Sequence, residues 1–139
     1  MKDHLKNCFL DHVAIASSDL EKTVKIYRDL GFEFDDKREV VESQKVKTAF
    51  AHVDENAHIE ILEPTSDDSP IAKFINKKGP GIHHLCFRVE DVLAKQDEMT
   101  KEGYKFIHAE PFIGAGNCLV NFIHPKSSDG VLIEISQKL

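Results

Sequence analysis

The sequence has no tryptophan, only two tyrosines, and three cysteines, none of them in a CxxC pair. Cys8, Cys86 and Cys118 are odd in number and widely spaced, which argues against a disulfide framework and suits free thiols in a reducing compartment. Basic residues are in deficit as well. The 18 Lys and Arg against 24 Asp and Glu leave a net charge of -6, where a nucleic-acid binder needs a basic face, so at most a local basic patch for one phosphorylated ligand remains. No eighteen apolar residues run together, and the amino terminus "MKDHLKNCFLDH" has no long apolar segment. Neither membrane insertion nor secretion is expected on that pattern, and the cytoplasm is the expected compartment. What is present is a globular composition, 41% hydrophobic and 30% charged over 139 residues. That is enough for one domain with a real core, or for two half-modules sharing one.

The chain matches itself at an offset of 72. "LDHVAIASSDLEKTVKIYRDLGF" from Leu10 falls on "IHHLCFRVEDVLAKQDEMTKEGY" from Ile82, so that His12 lies over His84, Asp19 over Asp91, Gly31 over Gly103 and Phe32 over Tyr104. Phe50 then lies over Phe122 and His52 over His124, and a shift of two residues brings Glu60 over Glu134.

Each half reads as βαβββ. In the first, an apolar run from Phe9 to Ala16 precedes a helix from about Asp19, a capping residue, with apolar positions Leu20, Val24, Tyr27 and Leu30 and a terminating Gly31. Strands are expected near 33–41, 46–53 and 58–63. The second half predicts a strand at 82–89, a helix at 91–102, and strands near 104–109, 118–124 and 131–136. "SPIAKFINKKGPG", 69–81, reads as a short helix and Gly-rich connector. The expected architecture is a single α+β domain over 1–139. It has a first module at about 8–65, a connector at about 66–80 and a second module at about 81–137, their sheets paired into a cup with helices on the outer face.

Strand alternation separates the two histidines of "GIHHLCFRVEDV". His83 shares an apolar face with Leu85, Phe87 and Val89; His84 points the other way with Cys86 and Arg88. Val13 and Ile15 likewise oppose His12, and the bulky faces Ile59, Ile61 and Val131, Ile133, Ile135 oppose Glu60 and Glu134. If helices cover the apolar faces, then His12, Glu60, His84 and Glu134 share the remaining face at matched places and converge once the modules pair. Two imidazoles and two carboxylates suit a divalent ion, Mn, Co, Ni or Zn better than Mg. Each residue alone is more often a surface or hydrogen-bonded strand residue; the matched set of four is what favours ligation. His83 reads as core-edge packing, and His4, His58 and His108 as surface residues.

At these residues the chain resembles the vicinal oxygen chelate superfamily and, within it, the methylmalonyl-CoA epimerase family, through "LDHVAIASSDLEK", "ILEPTSDDSPIAKFI", "GIHHLCFRVEDV", "PFIGAG" and "NFIHPKSSDGVLIEI". The resemblance covers most of residues 10–136. It implies that His12, His84 and Glu134 are metal ligands, with Glu60 where relatives carry a fourth, glutamine or glutamate. It further implies an acyl-CoA substrate and a homodimer. Two departures stand out: Thr48 occupies the place of a second catalytic glutamate, and Asn117 and Cys118 replace the usual glycine and polar residue. With Thr48 unable to accept a proton, Glu60 and Glu134 are the expected acid and base. Lys73, Lys77, Lys78 and Lys126 are candidate phosphate contacts, although surface lysines are more commonly just solvated. Arg88 reads equally as a contact for a substrate carboxylate or as the partner of a strand acid. The rival readings are a lactoylglutathione lyase, a ring-cleaving dioxygenase, which a fourth protein ligand would crowd, and a metal-free small-molecule binder of the same fold.

Overall fold

The computed structural model describes residues 8–139. They form two compact units, one from His12 to His83 and the other from His84 to Leu139 together with 8–11. The fold is α+β, and each unit carries a four-stranded mixed sheet.

In the first βαβββ module the strands are β1 (Phe9–Ala16), β2 (Glu39–Val41), β3 (Val46–His52) and β4 (His58–Pro64), in the order β2-β3-β4-β1. β1 runs parallel to β4, and the other neighbours are antiparallel. Helix α1 (Leu20–Leu30) starts where the Asp19 carboxylate accepts the Lys22 N–H and stops at Gly31, whose φ of 115° is left-handed and free of strain only for glycine. Its Leu20 and Val24 pack with Ala49, Ala51, Ile61 and Phe34. Leu30, expected in the same stripe, is 70% exposed at the last position of the helix.

The second module repeats this plan with β5 (Gly81–Arg88), β6 (Phe112–Gly114), β7 (Cys118–Ile123), β8 (Ile133–Lys138) and helix α3 (Val92–Lys101), in the order β5-β8-β7-β6. The internal symmetry extends to single bonds. Asp91 caps α3 as Asp19 caps α1. The Leu20 N–H donates to Glu63 Oε1 at 3.1 Å and the Val92 N–H to Gln137 Oε1 at 3.0 Å, so each helix start is pinned by a side chain near the end of its module's last strand. Phe34 bridges Ala51, and Phe106 bridges Ile123.

Three expectations are corrected. The strand expected over 33–41 is three residues long, with Phe34 making only an isolated bridge. The strand expected at 104–109 is also an isolated bridge at Phe106, and the edge strand is β6, which "PFIG" forms after Pro111. Edge segments pair on one side only, so apolar patterning marks their ends weakly. Val131 lies outside β8 and is 45% exposed, because left-handed Asp129 and Gly130 turn the chain just before it. The connector is helix α2 (Pro70–Lys78), capped by Ser69. Its Ile71, with Phe74 and Ile75, packs on Ala14, Ala16, Val46 and Leu62, the face of the first sheet opposite that of α1.

Candidate metal centre

Across β3 and β4 the register pairs Phe50 with Glu60, and across β1 and β4 it pairs Ala14 with Glu60. Glu60 therefore shares its face with Ala14 and, two residues earlier on β1, with His12. The pair closes with His12 Nε2 3.0 Å from Glu60 Oε2. The second module repeats this: Phe122 pairs with Glu134, Cys86 pairs with Glu134, and His84 Nε2 lies 3.2 Å from Glu134 Oε1. The four side chains are 8–12% exposed, dry enough to strengthen electrostatics yet open enough for a small ligand.

The structure thus brings His12 to Glu60 and His84 to Glu134, one imidazole and one carboxylate from each module. Neutral imidazole nitrogen and carboxylate oxygen are donors suited to a divalent metal ion. Small neighbours, Ala14 beside the first pair and Cys86 beside the second, are fully buried and leave the donors uncrowded.

The remaining candidates separate. Arg88 Nη2 binds Asp11 Oδ1 at 2.9 Å, so the strand-acid reading describes it, while its buried Nε has no hydrogen-bond partner among the described residues. Cys118 is buried, with its sulfur 3.9 Å from Arg88 Nη2, and Asn117 takes a left-handed φ of 57°. All three cysteines are free thiols. Thr48 is fully buried on the Glu60 side of β3, and its hydroxyl donates to the Glu39 carbonyl at 3.2 Å. His83 packs edge-on against Phe74 with ring centroids 4.9 Å apart, as expected at a core edge. His58 is not an ordinary surface residue: it is half-buried, its ring 4.5 Å from that of His52. His108 is exposed and leans on Phe112, and His4 lies outside the described residues.

Sequence reasoning missed two features near the second pair. Phe122 meets the His84 ring edge-on at 5.7 Å, and the repeated Phe50 and Phe122 were the visible clue. Asn121, fully buried, clamps the segment before β6: its amide donates to Gln96 Oε1 at 2.7 Å and to the His108 carbonyl at 3.0 Å. Its carbonyl oxygen accepts the N–H groups of Phe122 and His108.

The match of residues 11–122 to the family model of the glyoxalase/bleomycin resistance protein/dioxygenase superfamily covers both His–Glu pairs except Glu134. The chain belongs to that superfamily. Among its curated members, the ethylmalonyl-CoA/methylmalonyl-CoA epimerase of Cereibacter sphaeroides is 40% identical, covering 92% of this chain and 96% of the relative. The mitochondrial methylmalonyl-CoA epimerase of Dictyostelium discoideum is 39% identical, covering 93% and 78%. A solved superfamily structure, a methylmalonyl-CoA epimerase variant from Streptomyces coelicolor in complex with 2-nitronate-propionyl-CoA, superposes with a TM-score of 0.86. It is 35% identical and covers 93% of this chain and 96% of that one. Among the described residues no helix is long and apolar enough to cross a membrane.

Proposed function

We propose that this chain is a methylmalonyl-CoA epimerase, an isomerase that moves the proton alpha to a thioester carbonyl and so interconverts the (R) and (S) forms. One observation carries the reading: the duplicated His–Glu pair, at 3.0 and 3.2 Å, in a chain 39% and 40% identical to named epimerases of two organisms over 93% and 92% of its length.

His12, Glu60, His84 and Glu134 are proposed as the four ligands of one divalent ion, Co, Mn, Ni or Zn, with Mg less suited to two nitrogen donors. Matched positions in the repeat, the compensating charge of two carboxylates and the low exposure of all four support this. When bound there, such an ion supplies Lewis-acid stabilisation to the oxygen on which charge builds as the neighbouring C–H bond breaks.

The protein's own groups do the proton work. Inversion needs a group that removes the alpha proton and one that delivers a proton from the other side. Glu134 and Glu60, one from each module, take those roles, exchanging them with the direction of reaction. Thr48 takes neither, since its hydroxyl hydrogen is directed to the Glu39 carbonyl and its pKa lies far above that of a carboxyl. His12 and His84 are the nitrogen ligands, their Nε2 atoms 3.0 and 3.2 Å from the carboxylate oxygens, and take no part in the proton transfer. The acyl-CoA carrier adds binding energy away from the reacting carbon, and Lys73, Lys77, Lys78 and Lys126 are the candidates for its phosphates. Homodimeric assembly and a cytoplasmic site of action, suggested by the family resemblance and the free thiols, complete the proposal.

The test is turnover of the separate epimers of methylmalonyl-CoA, with the hemithioacetal of methylglyoxal and glutathione in parallel. Epimerisation with no lactoylglutathione formed supports the reading, and the reverse pattern replaces it with a lyase.

A further inference from the structure

Among the matched places at which the two modules differ on the face that carries the His–Glu pairs, one lies on the edge strands. In the first, β2 sets Glu39 opposite Thr48; in the second, β6 sets Phe112 opposite Val120, and Thr48 and Val120 are related by the repeat. Where one module presents a carboxyl group and a hydroxyl, the other presents a ring and two methyls.

Phe112 does not stand alone. It stacks on Phe122 with centroids 6.5 Å apart and planes 28° from parallel. Phe122 in turn meets the His84 ring at 5.7 Å and 90°, and is the cross-strand partner of Glu134. His108 closes the outer end, its ring 4.8 Å from that of Phe112. A Cβ at Gly114 would lie 3.1 Å from a Val120 methyl, so glycine is what lets β6 lie this close to β7. Both phenyl rings are only partly buried and so are open to a ligand.

We infer that Phe122, backed by Phe112, is the wall that receives the alpha-alkyl substituent of the substrate, and that this stacked pair sets how large a substituent the enzyme accepts. The inference rests on the proposal that Glu134 removes the alpha proton of a malonyl thioester. A base must come within hydrogen-bond reach of the proton it takes, and directly opposed strand residues hold their Cβ atoms about 5 Å apart. The strand residues flanking a carbon beside Glu134 are therefore Phe122 on β7 and Cys86 on β5, and Phe122 is the one that offers an aromatic face. Apolar alkyl against an aromatic face is the favourable match; the first module repeats the ring as Phe50 opposite Glu60, but its β2 sets Glu39 where β6 sets the backing Phe112. Phe112 prevents the Phe122 ring from swinging away, which fixes the depth of the space.

The test compares kcat/KM for methyl-, ethyl- and propylmalonyl-CoA in the wild type, Phe112→Ala and Phe112→Leu, with metal content by elemental analysis and thioester affinity by calorimetry. One methylene in a fitted apolar pocket discriminates about tenfold or more. Phe112→Ala is expected to raise the ethyl-to-methyl ratio about tenfold, in affinity as well as in kcat/KM, with Phe112→Leu intermediate and metal content unchanged. If Phe112→Ala does not fold, Phe112→Leu alone reads the same shift. A ratio that stays within twofold of wild type in the folded, metal-loaded variants overturns the wall while leaving the epimerase reading intact. A wild type inactive on all three thioesters overturns that reading, and the wall with it.

Discussion

His84 Nε2 lies 3.2 Å from Glu134 Oε1, and His12 repeats the relationship with Glu60 at 3.0 Å in the other module. If all four are ligands, the two histidines are equivalent. His12→Ala and His84→Ala should each weaken divalent metal binding by more than the roughly 10- to 100-fold that loss of a mere supporting partner costs. Chelator competition with elemental analysis measures this. Full metal retention in either variant would remove that residue from the set.

Glu60→Gln keeps a ligand oxygen and the shape of the side chain but cannot carry a proton at neutral pH. It should retain metal and lose about 10² to 10⁴ in kcat, the usual contribution of one acid–base group. Unchanged kcat in a metal-loaded Glu60→Gln protein would assign the proton to another residue.

Asn121 is a stability prediction independent of the chemistry. Asn121→Leu fills similar space but strands the Phe122 N–H and the His108 carbonyl, which the Asn amide now satisfies at 2.8 and 3.0 Å. Urea unfolding should show a loss of about 2–3 kcal/mol with an unchanged slope, as for buried groups left unpaired. A loss below about 0.5 kcal/mol would show that water replaces the amide without penalty.

Asp68 gives a pH signature. A hydrogen bond from the Lys45 ammonium, helped by the Ser66 hydroxyl, lowers its pKa from 3.8 to about 2. The folded state therefore favours the ionised form. The contribution is complete above pH 3.8 and is lost as the pH falls toward 2, and solvent screening of this exposed pair keeps it small. Carboxyl NMR should place the Asp68 midpoint near 2 in the wild type, and closer to the ordinary value in Lys45→Ala. Equal midpoints in the two proteins would contradict the pairing.

Much of this was legible because the sequence repeats. Asp19 and Asp91 capping their helices, Gly31 in a left-handed turn and the opposed facing of His83 and His84 all follow from local rules that one strand or helix expresses alone. Glu60 and Glu134 became legible only in pairs, since a lone strand glutamate carries no sign of what it faces. The edge strands were not: β2 and β6 have three residues each, and long-range pairing with β3 and β7, rather than their own patterning, makes them strands. The Phe112–Phe122 stack escaped for the same reason. It depends on β6 lying against β7, a register that Gly114 permits but the residue pattern does not announce. Arg88 was undecided from sequence because its partner, Asp11, lies 77 residues away.

The most direct test of the central claim follows hydrogen exchange at C2 of methylmalonyl-CoA in deuterated water, with Co or Mn added to the protein and, in parallel, with the metal chelated away. The account predicts deuterium uptake at C2 that accompanies epimerisation, vanishes on chelation and returns when the metal is restored. Uptake equal to the protein-free rate in the metal-loaded sample, or uptake untouched by chelation, would contradict it.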